Sequence, residues 1–328
     1  MGRVGQSPGR CADGLAHNLP APGKIAPFNS EPLEIQRQKE SAMRLGVVFP
    51  QTESGTDPAA IRDYVQAVEA LGYDHLAIFD HVLGADLQHW KLPNAPYSHE
   101  TLFHEPMVFF GYVAALTTRI EMVTSILILP QRQTALVAKQ AASIDVLSGG
   151  RFRLGIGVGW NPAEYAALGE DFHTRGRRSE EQIALMRALW SEPLVDFDGR
   201  YDHVERVGIN PLPVRRSIPV WLGGMSDAVI ERVGRVGDGW FPQYRDAAQL
   251  PAGIERVRAA AVAAGRDPSA VGFEARVQVS SATAVEQARL FEAAGATHVA
   301  VNTMGAGFAS LNDHIDALRR FAGDFGPR

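Results

Sequence analysis

From Met43 onward, short apolar runs alternate with longer segments in which apolar residues recur every third or fourth position. The first rhythm is that of buried strands, the second that of helices packed on one face. Strands are predicted at 44–49, 74–79, 120–128, 152–156, 219–222, 238–241, 271–277 and 297–301. Helices are predicted at about 57–71, 104–117, 133–147, 175–190, 226–235, 246–264, 283–294 and 307–322. Such alternation is the sequence form of a parallel sheet, because parallel neighbours need a crossover. Eight units over about 280 residues suit a closed (β/α)8 (TIM) barrel, whose usual size is about 250 residues. A doubly wound open sheet is the competing α/β architecture. It carries a glycine fingerprint in its first strand-to-helix turn, and here that turn reads Phe49-Pro50-Gln51.

Some stretches interrupt the alternation. Residues 80–103 form a long loop after the second strand; 161–174 and 191–218 flank the fourth helix, and 196–201 has the look of a small hairpin turn. Long loops at the C-terminal ends of barrel strands are where active sites are built. Residues 1–42 have closely spaced Gly and Pro, scattered charge and no periodicity. They are expected to form a disordered arm, with the barrel domain covering 43–328.

Composition narrows the class. Lys plus Arg number 32 against 37 Asp plus Glu, a net charge of −5, which is the wrong sign for a nucleic-acid surface. The single cysteine, Cys11, rules out an intrachain disulfide and a cysteine-rich metal site. No apolar run nears the roughly 20 residues of a membrane span, and no secretory apolar region opens the chain, so a cytoplasmic protein is expected.

Four places have candidate chemistry. Asp80-His81 ends the second strand, where a barrel displays catalytic groups, and His works as acid, base or donor near neutral pH. The bland alternative is a pair that caps the strand and bonds loop backbone. No metal-ligand spacing accompanies it. The run Gly155-Ile156-Gly157-Val158-Gly159-Trp160-Asn161 leaves the fourth strand with alternate glycines, which let backbone approach a ligand or merely relieve crowding. Gly223-Gly224-Met225-Ser226 joins a strand to a helix start, giving either a phosphate cup of free N–H groups or a plain turn with an N-cap serine. Ser125 interrupts the apolar run Val123–Leu129. The cluster Arg175, Arg177 and Arg178 is either a solvated face or within reach of phosphates. Asp145, Ser148 and Gly149-Gly150-Arg151 read as a helix end and tight turn, and Glu105-Pro106 as a first helical turn.

Taken in order, Leu45-Gly46-Val47-Val48-Phe49-Pro50, Phe79-Asp80-His81, Ala138-Lys139-Gln140, Leu147-Ser148-Gly149-Gly150-Arg151, Gly155–Asn161, Pro219–Gly224 and Asp238-Gly239-Trp240 resemble the luciferase-like monooxygenase superfamily, in particular its F420-dependent branch. The resemblance runs over roughly 43–322. It implies a non-prolyl cis peptide between Ser125 and Ile126 behind the deazaflavin ring, Asp80 and His81 on the redox face, and Gly223-Gly224-Met225-Ser226 on the phosphate, with Gly157, Gly159, Trp160 and Asn161 also on the cofactor. Sugar-phosphate dehydrogenases of that branch have an acidic residue where this chain has Trp160, and a Trp where it has Ala85, which points away from glucose 6-phosphate.

Three functions follow from these readings. The first is hydride transfer between coenzyme F420 and a small organic substrate, favoured by the compact length. The second is a monooxygenase using reduced FMN, and the third a non-catalytic flavin-binding barrel. A homodimer is open to any of them. A chain beginning at Met43 is expected to stay soluble, melt as the full chain does and bind cofactor equally. Insolubility or a much lower melting temperature would place residues 1–42 in the core.

Overall fold

The computed structural model describes residues 43–92 and 94–326; the expected arm at 1–42 lies outside them. The strands are β1 (Arg44–Val48), β2 (His75–Ile78), β3 (Glu121–Thr124), β4 (Leu127–Ile128), β5 (Phe152–Gly157), β6 (Val195–Asp198), β7 (His203–Val207), β8 (Val220–Gly223), β9 (Gly239–Phe241), β10 (Gly272–Gln278) and β11 (His298–Asn302). The helices are α1 (Pro58–Ala70), α2 (Pro106–Leu116), α3 (Thr134–Ser148), α4 (Pro162–Ala167), α5 (Arg175–Ser191), α6 (Asp227–Val236), α7 (Leu250–Ala263), α8 (Ala284–Ala293) and α9 (Leu311–Phe325).

All the pairings except one are parallel, and they close a ring. β1 lies between β2 and β11, and the order continues through β10, β9, β8 and β5 to a third position shared by β3 and β4. β3 pairs with both β2 and β5, while β4 pairs with β5 alone. The result is the expected eight-position (β/α)8 barrel. The antiparallel pair β6–β7 is a surface hairpin whose turn at 199–202 overlaps the predicted 196–201, while 196–198 belong to β6.

Local chemistry sets the element ends. Helix α1 starts at Asp57, whose side chain accepts from the Ala59 N–H, with Pro58 in the first turn. Its buried Ile61, Tyr64, Val65 and Val68 form one stripe. Helix α3 stops at Gly149, left-handed at φ 71°, and the Gly150 N–H returns to the Asp145 carbonyl. Three boundaries differ from expectation. The predicted strand 120–128 is broken at Ser125-Ile126, where the ladder lapses. The predicted helix 307–322 starts only at Leu311, because Ser310 and Asp313 form a capping box. The region read as loop at 161–174 contains α4, too short to show a period.

The ring holds two unlike layers of inward side chains. The lower layer is polar and ionisable: His75, Glu121, Arg153, Glu274 and His298. Arg153 reaches Glu274 at 2.8 Å and Glu121 at 3.1 Å, His75 Nε2 lies 3.2 Å from Glu274, and the Arg153 guanidinium sits 4.2 Å over the Trp221 ring. Room for these large groups comes from glycine. A Cβ on Gly46 would fall 2.2 Å from the His75 ring, and one on Gly239 2.1 Å from Trp221. The Glu274 carboxyl lies far below the usual range: burial opposes its charge, but His75 and Arg153 more than offset that. His298 is held well below its usual value by burial, with Arg153 adding to it, so it stays neutral. Above this layer lie Val48, Ala77, Val123, Trp221, Phe241 and Ala300, mostly small, topped by Phe79, Ile126 and Met304.

Removing one partner from a buried ion network strands the others. Arg153→Met is therefore expected to cost about 3–5 kcal/mol of stability. Urea unfolding would show this as a lower midpoint, and an unchanged midpoint would contradict the role given to Arg153.

Candidate functional site

His81 follows β2 at the C-terminal face. Its ring is nearly buried, walled by Tyr97 and Phe103 from the long loop and by Trp160 after β5, with ring centres 5.2, 4.8 and 5.6 Å away. Nδ1 lies 3.2 Å from Glu164 Oε2. The other oxygen of Glu164 accepts from the N–H groups of Val82 at 2.9 Å and Leu83 at 3.2 Å. Glu164 is fully buried. Burial pushes its carboxyl up, but the His81 hydrogen bond and charge and the Leu83 and Val82 N–H groups outweigh it, so the net shift is downward. An ionised Glu164 accepts the Nδ1–H and fixes the tautomer, which leaves Nε2 as an acceptor when the ring is neutral. Among the described residues nothing bonds to Nε2.

Asp80 has different surroundings. Oδ2 accepts from the Ile128 N–H at 2.9 Å, and Oδ1 pairs with Arg132 at 2.7 Å. Arg132 also reaches Glu105 at 3.1 Å. Burial pushes the Asp80 carboxyl upward, against Arg132 and the Ile128 N–H. Asp80 thus ties the end of β2 to β4, and its carboxylate is occupied by that bridge.

The Ser125–Ile126 peptide between β3 and β4 is cis. The Ser125 N–H donates to the Ile78 carbonyl at 2.7 Å. The alternate glycines at the end of β5 make room for Ile126 and Ile128. A Cβ on Gly157 would meet Ile126 at 2.3 Å, one on Gly223 would meet it at 2.9 Å, and one on Gly159 would meet Ile128 at 2.8 Å. Gly157, Gly223 and Ile126 therefore come together at the centre of the barrel mouth. Asn161 caps α4 by accepting from the Ala163 N–H at 3.0 Å, which aims Glu164 at His81.

At the end of β8, Gly224 has φ 132°, a conformation open to glycine alone, and its carbonyl accepts from Trp240 Nε1 at 2.8 Å. Ser226 is the N-cap of α6, yet its hydroxyl makes no capping bond. Met225 is partly exposed, with its sulfur 3.1 Å from the Gln243 N–H. Between β5 and β8 a small slot is lined by Gly157, Val158, Ser179, Gly223 and Arg232. Of the arginine cluster, Arg175 lies over Phe172 and Arg178 pairs with Glu170, so both are engaged locally.

Sequence reasoning missed Glu164 and Arg132. Glu164 carried a faint signal: Asn161-Pro162-Ala163-Glu164 is a helix start with an acid at the third position, inside a stretch noted only as flanking the fourth helix. Arg132 had none. Among the described residues no group of three or more His, Cys, Asp or Glu could hold a metal ion, and no helix is long and apolar enough to cross a membrane.

A parallel barrel with a buffered histidine, a glycine-lined mouth and an open helix start defines a small-molecule site at the C-terminal face. The luciferase-like monooxygenase family matches residues 43–319, and the chain belongs to it. An uncharacterized protein of Mycobacterium tuberculosis is 31% identical over 284 residues, covering 84% of this chain and 97% of its own. An F420-dependent glucose-6-phosphate dehydrogenase of Gordonia bronchialis is 30% identical over 73% of this chain and 69% of its own. An FMNH2-dependent dimethylsulfone monooxygenase of Pseudomonas fluorescens is 30% identical over 66% of this chain and 57% of its own. Among solved structures, an F420-dependent secondary alcohol dehydrogenase superposes with a TM-score of 0.70 at 18% identity, covering 87% of this chain and 99% of that one.

The sign of the Glu164 shift yields a pH prediction. A carboxyl depressed by folding stabilises the protein above its unfolded value, near 4.3, and that contribution is lost as pH falls toward the folded value. Wild type should therefore lose more stability between neutral pH and pH of about 3 than Glu164→Gln does. At neutral pH the variant should be weaker by about 1–3 kcal/mol, since the His81 ring and the Val82 and Leu83 N–H groups lose their charged acceptor. Parallel acid-unfolding curves for the two proteins would contradict the clamp.

Proposed function

We propose that this protein transfers a hydride between the deazaflavin coenzyme F420 and a small organic substrate at the barrel mouth. The observation that carries the reading is His81: a histidine at a strand's C-terminal end, oriented through Nδ1 by a buried ionised carboxylate, with Nε2 left for a ligand. The mouth also fits a flat ring. Ile126 stands in a gap that a side chain at either Gly157 or Gly223 would close. The start of α6 fits a phosphate. Gly224 brings backbone close, the first N–H groups of the helix lack partners within it, and the Ser226 hydroxyl is unused by the cap. Ser179 and Arg232 line the adjoining slot, where the Ser179 hydroxyl donates to the Gly176 carbonyl and Arg232 pairs with Glu180 at 2.8 Å.

The bound deazaflavin supplies the hydride-carrying carbon. Ile126, with Ser125, supports one face of the ring. Gly223, Gly224, Met225 and Ser226 hold the phosphate, and Gly157, Gly159, Trp160 and Asn161 shape the adjoining wall. His81 holds or delivers the proton on the substrate oxygen through Nε2. Glu164 steadies the imidazolium form, and Asp80 acts as a positioning residue through β4. Tyr97, Phe103 and Trp160 exclude water around the imidazole.

A reduced-FMN monooxygenase is the second reading, favoured by the Pseudomonas fluorescens relative. Fluorescence titration of purified protein with F420 and with FMN separates the two. F420 is expected to bind the more tightly, and tighter FMN binding with oxygen uptake would overturn the assignment. His81→Ala should slow single-turnover hydride transfer about 10²–10⁴-fold at saturating F420 while leaving affinity nearly intact. Unchanged transfer with poor affinity would move His81 from proton handling to cofactor binding.

A further inference from the structure

Strand β10 aims two charges into the barrel, Glu274 and, two residues further, Arg276. Their fates differ. Both oxygens of Glu274 are engaged, Oε1 by His75 at 3.2 Å and Oε2 by Arg153 at 2.8 Å. Arg276 has no hydrogen bond and no ion pair among the described residues. It sits level with Ala300 of β11, a small inward residue, and its guanidinium lies 4.8 Å over the Phe79 ring. Phe79 directly precedes Asp80 and His81. The nearest acid on its own strand is therefore neutralised from below, and its neighbours above are aromatic.

An unpaired, half-buried guanidinium is costly to keep. An arginine stays charged, has five donors and is satisfied by a planar oxyanion. Stacking on Phe79 holds the fork flat and offsets part of its desolvation, but fills none of those donors. Tyr97, the other group that feels its charge, packs against His81 with ring centres 5.2 Å apart. Arg276 and His81 thus flank one aromatic wall.

We propose that Arg276 sets substrate specificity at this site by receiving an oxyanion (a carboxylate, sulfonate or phosphate) on a substrate whose apolar body lies against Phe79 and Tyr97. The proposal rests on the reading of the mouth as the substrate site. It excludes small neutral molecules as preferred substrates. The charged head is held by the Arg276 fork, and the reacting carbon is presented to the His81 side.

Calorimetry with benzoate, benzenesulfonate and the neutral benzamide tests it, on protein with and without F420. Wild type should bind the two anions at least about tenfold more tightly than benzamide, the size of one charge-assisted hydrogen bond. Arg276→Gln should abolish the preference and Arg276→Lys keep part of it, with F420 affinity unchanged in both. No anion preference in wild type, or a preference that survives in Arg276→Gln, overturns the proposal. So does a loss confined to F420 affinity, which would assign the arginine to the cofactor. Phenylglyoxal labelling of wild type, mapped by peptide mass, decides the matter without a variant. Benzoate should protect Arg276 and benzamide should not, and equal labelling overturns the proposal. Because the anion preference is also read without cofactor, failure of F420 and FMN to bind would sink the cofactor assignment alone.

Discussion

The site depends on how one buried carboxylate is satisfied. Glu164 is fully buried, so its two oxygens need donors from the protein around them. It finds three: the Val82 and Leu83 N–H groups and the His81 ring. Those bonds fix the start of the 80–103 loop and the orientation of the imidazole together. A loop that would otherwise leave His81 mobile is tied to α4, and α4 is itself placed by the Asn161 cap at the end of β5. The ends of β2 and β5, which the β3–β4 position separates in the ring, are thereby joined by side chains rather than by backbone pairing.

The same division of labour runs through the barrel. Its lower half is filled by an ion network covered from above by the Trp221 ring, which makes it a packed core. Its upper half is emptied by Ala77, Val123, Ala300 and a set of glycines. Large groups below require glycine beside them for space, and Ile126 above requires it for the same reason. Stability is concentrated at one end and room for a ligand at the other, as the barrel architecture favours.

The eight strands were legible from apolar runs because each is buried on both sides and bounded by turns. The glycine runs were legible as unusual backbone, but their purpose was not. Gly157 and Gly159 read either as an approach for a ligand or as relief of crowding, and in the structure they make room for Ile126 and Ile128. That pairing joins positions some thirty residues apart in sequence, across strands whose register no local pattern reveals. The break at Ser125-Ile126 was hidden for a related reason: an apolar run looks the same whether or not its ladder is continuous. It entered only through the resemblance to a family. Asp80 and His81 stood out by type and position, yet their separate tasks depend on Arg132 and Glu164, which lie 52 and 83 residues further along the chain.

In the proposed function, the mouth bounded by Ile126, His81 and the start of α6 would hold a deazaflavin with its reacting carbon on the His81 side. A crystal structure of the protein with F420 tests it most directly. The ring is expected against Ser125-Ile126, the phosphate at Gly224 and Ser226, and His81 Nε2 within about 3–3.5 Å of the substrate's reacting oxygen when an inhibitor is also bound. A ring seated elsewhere on the barrel, or one with His81 on the far side from its reacting carbon, would contradict it.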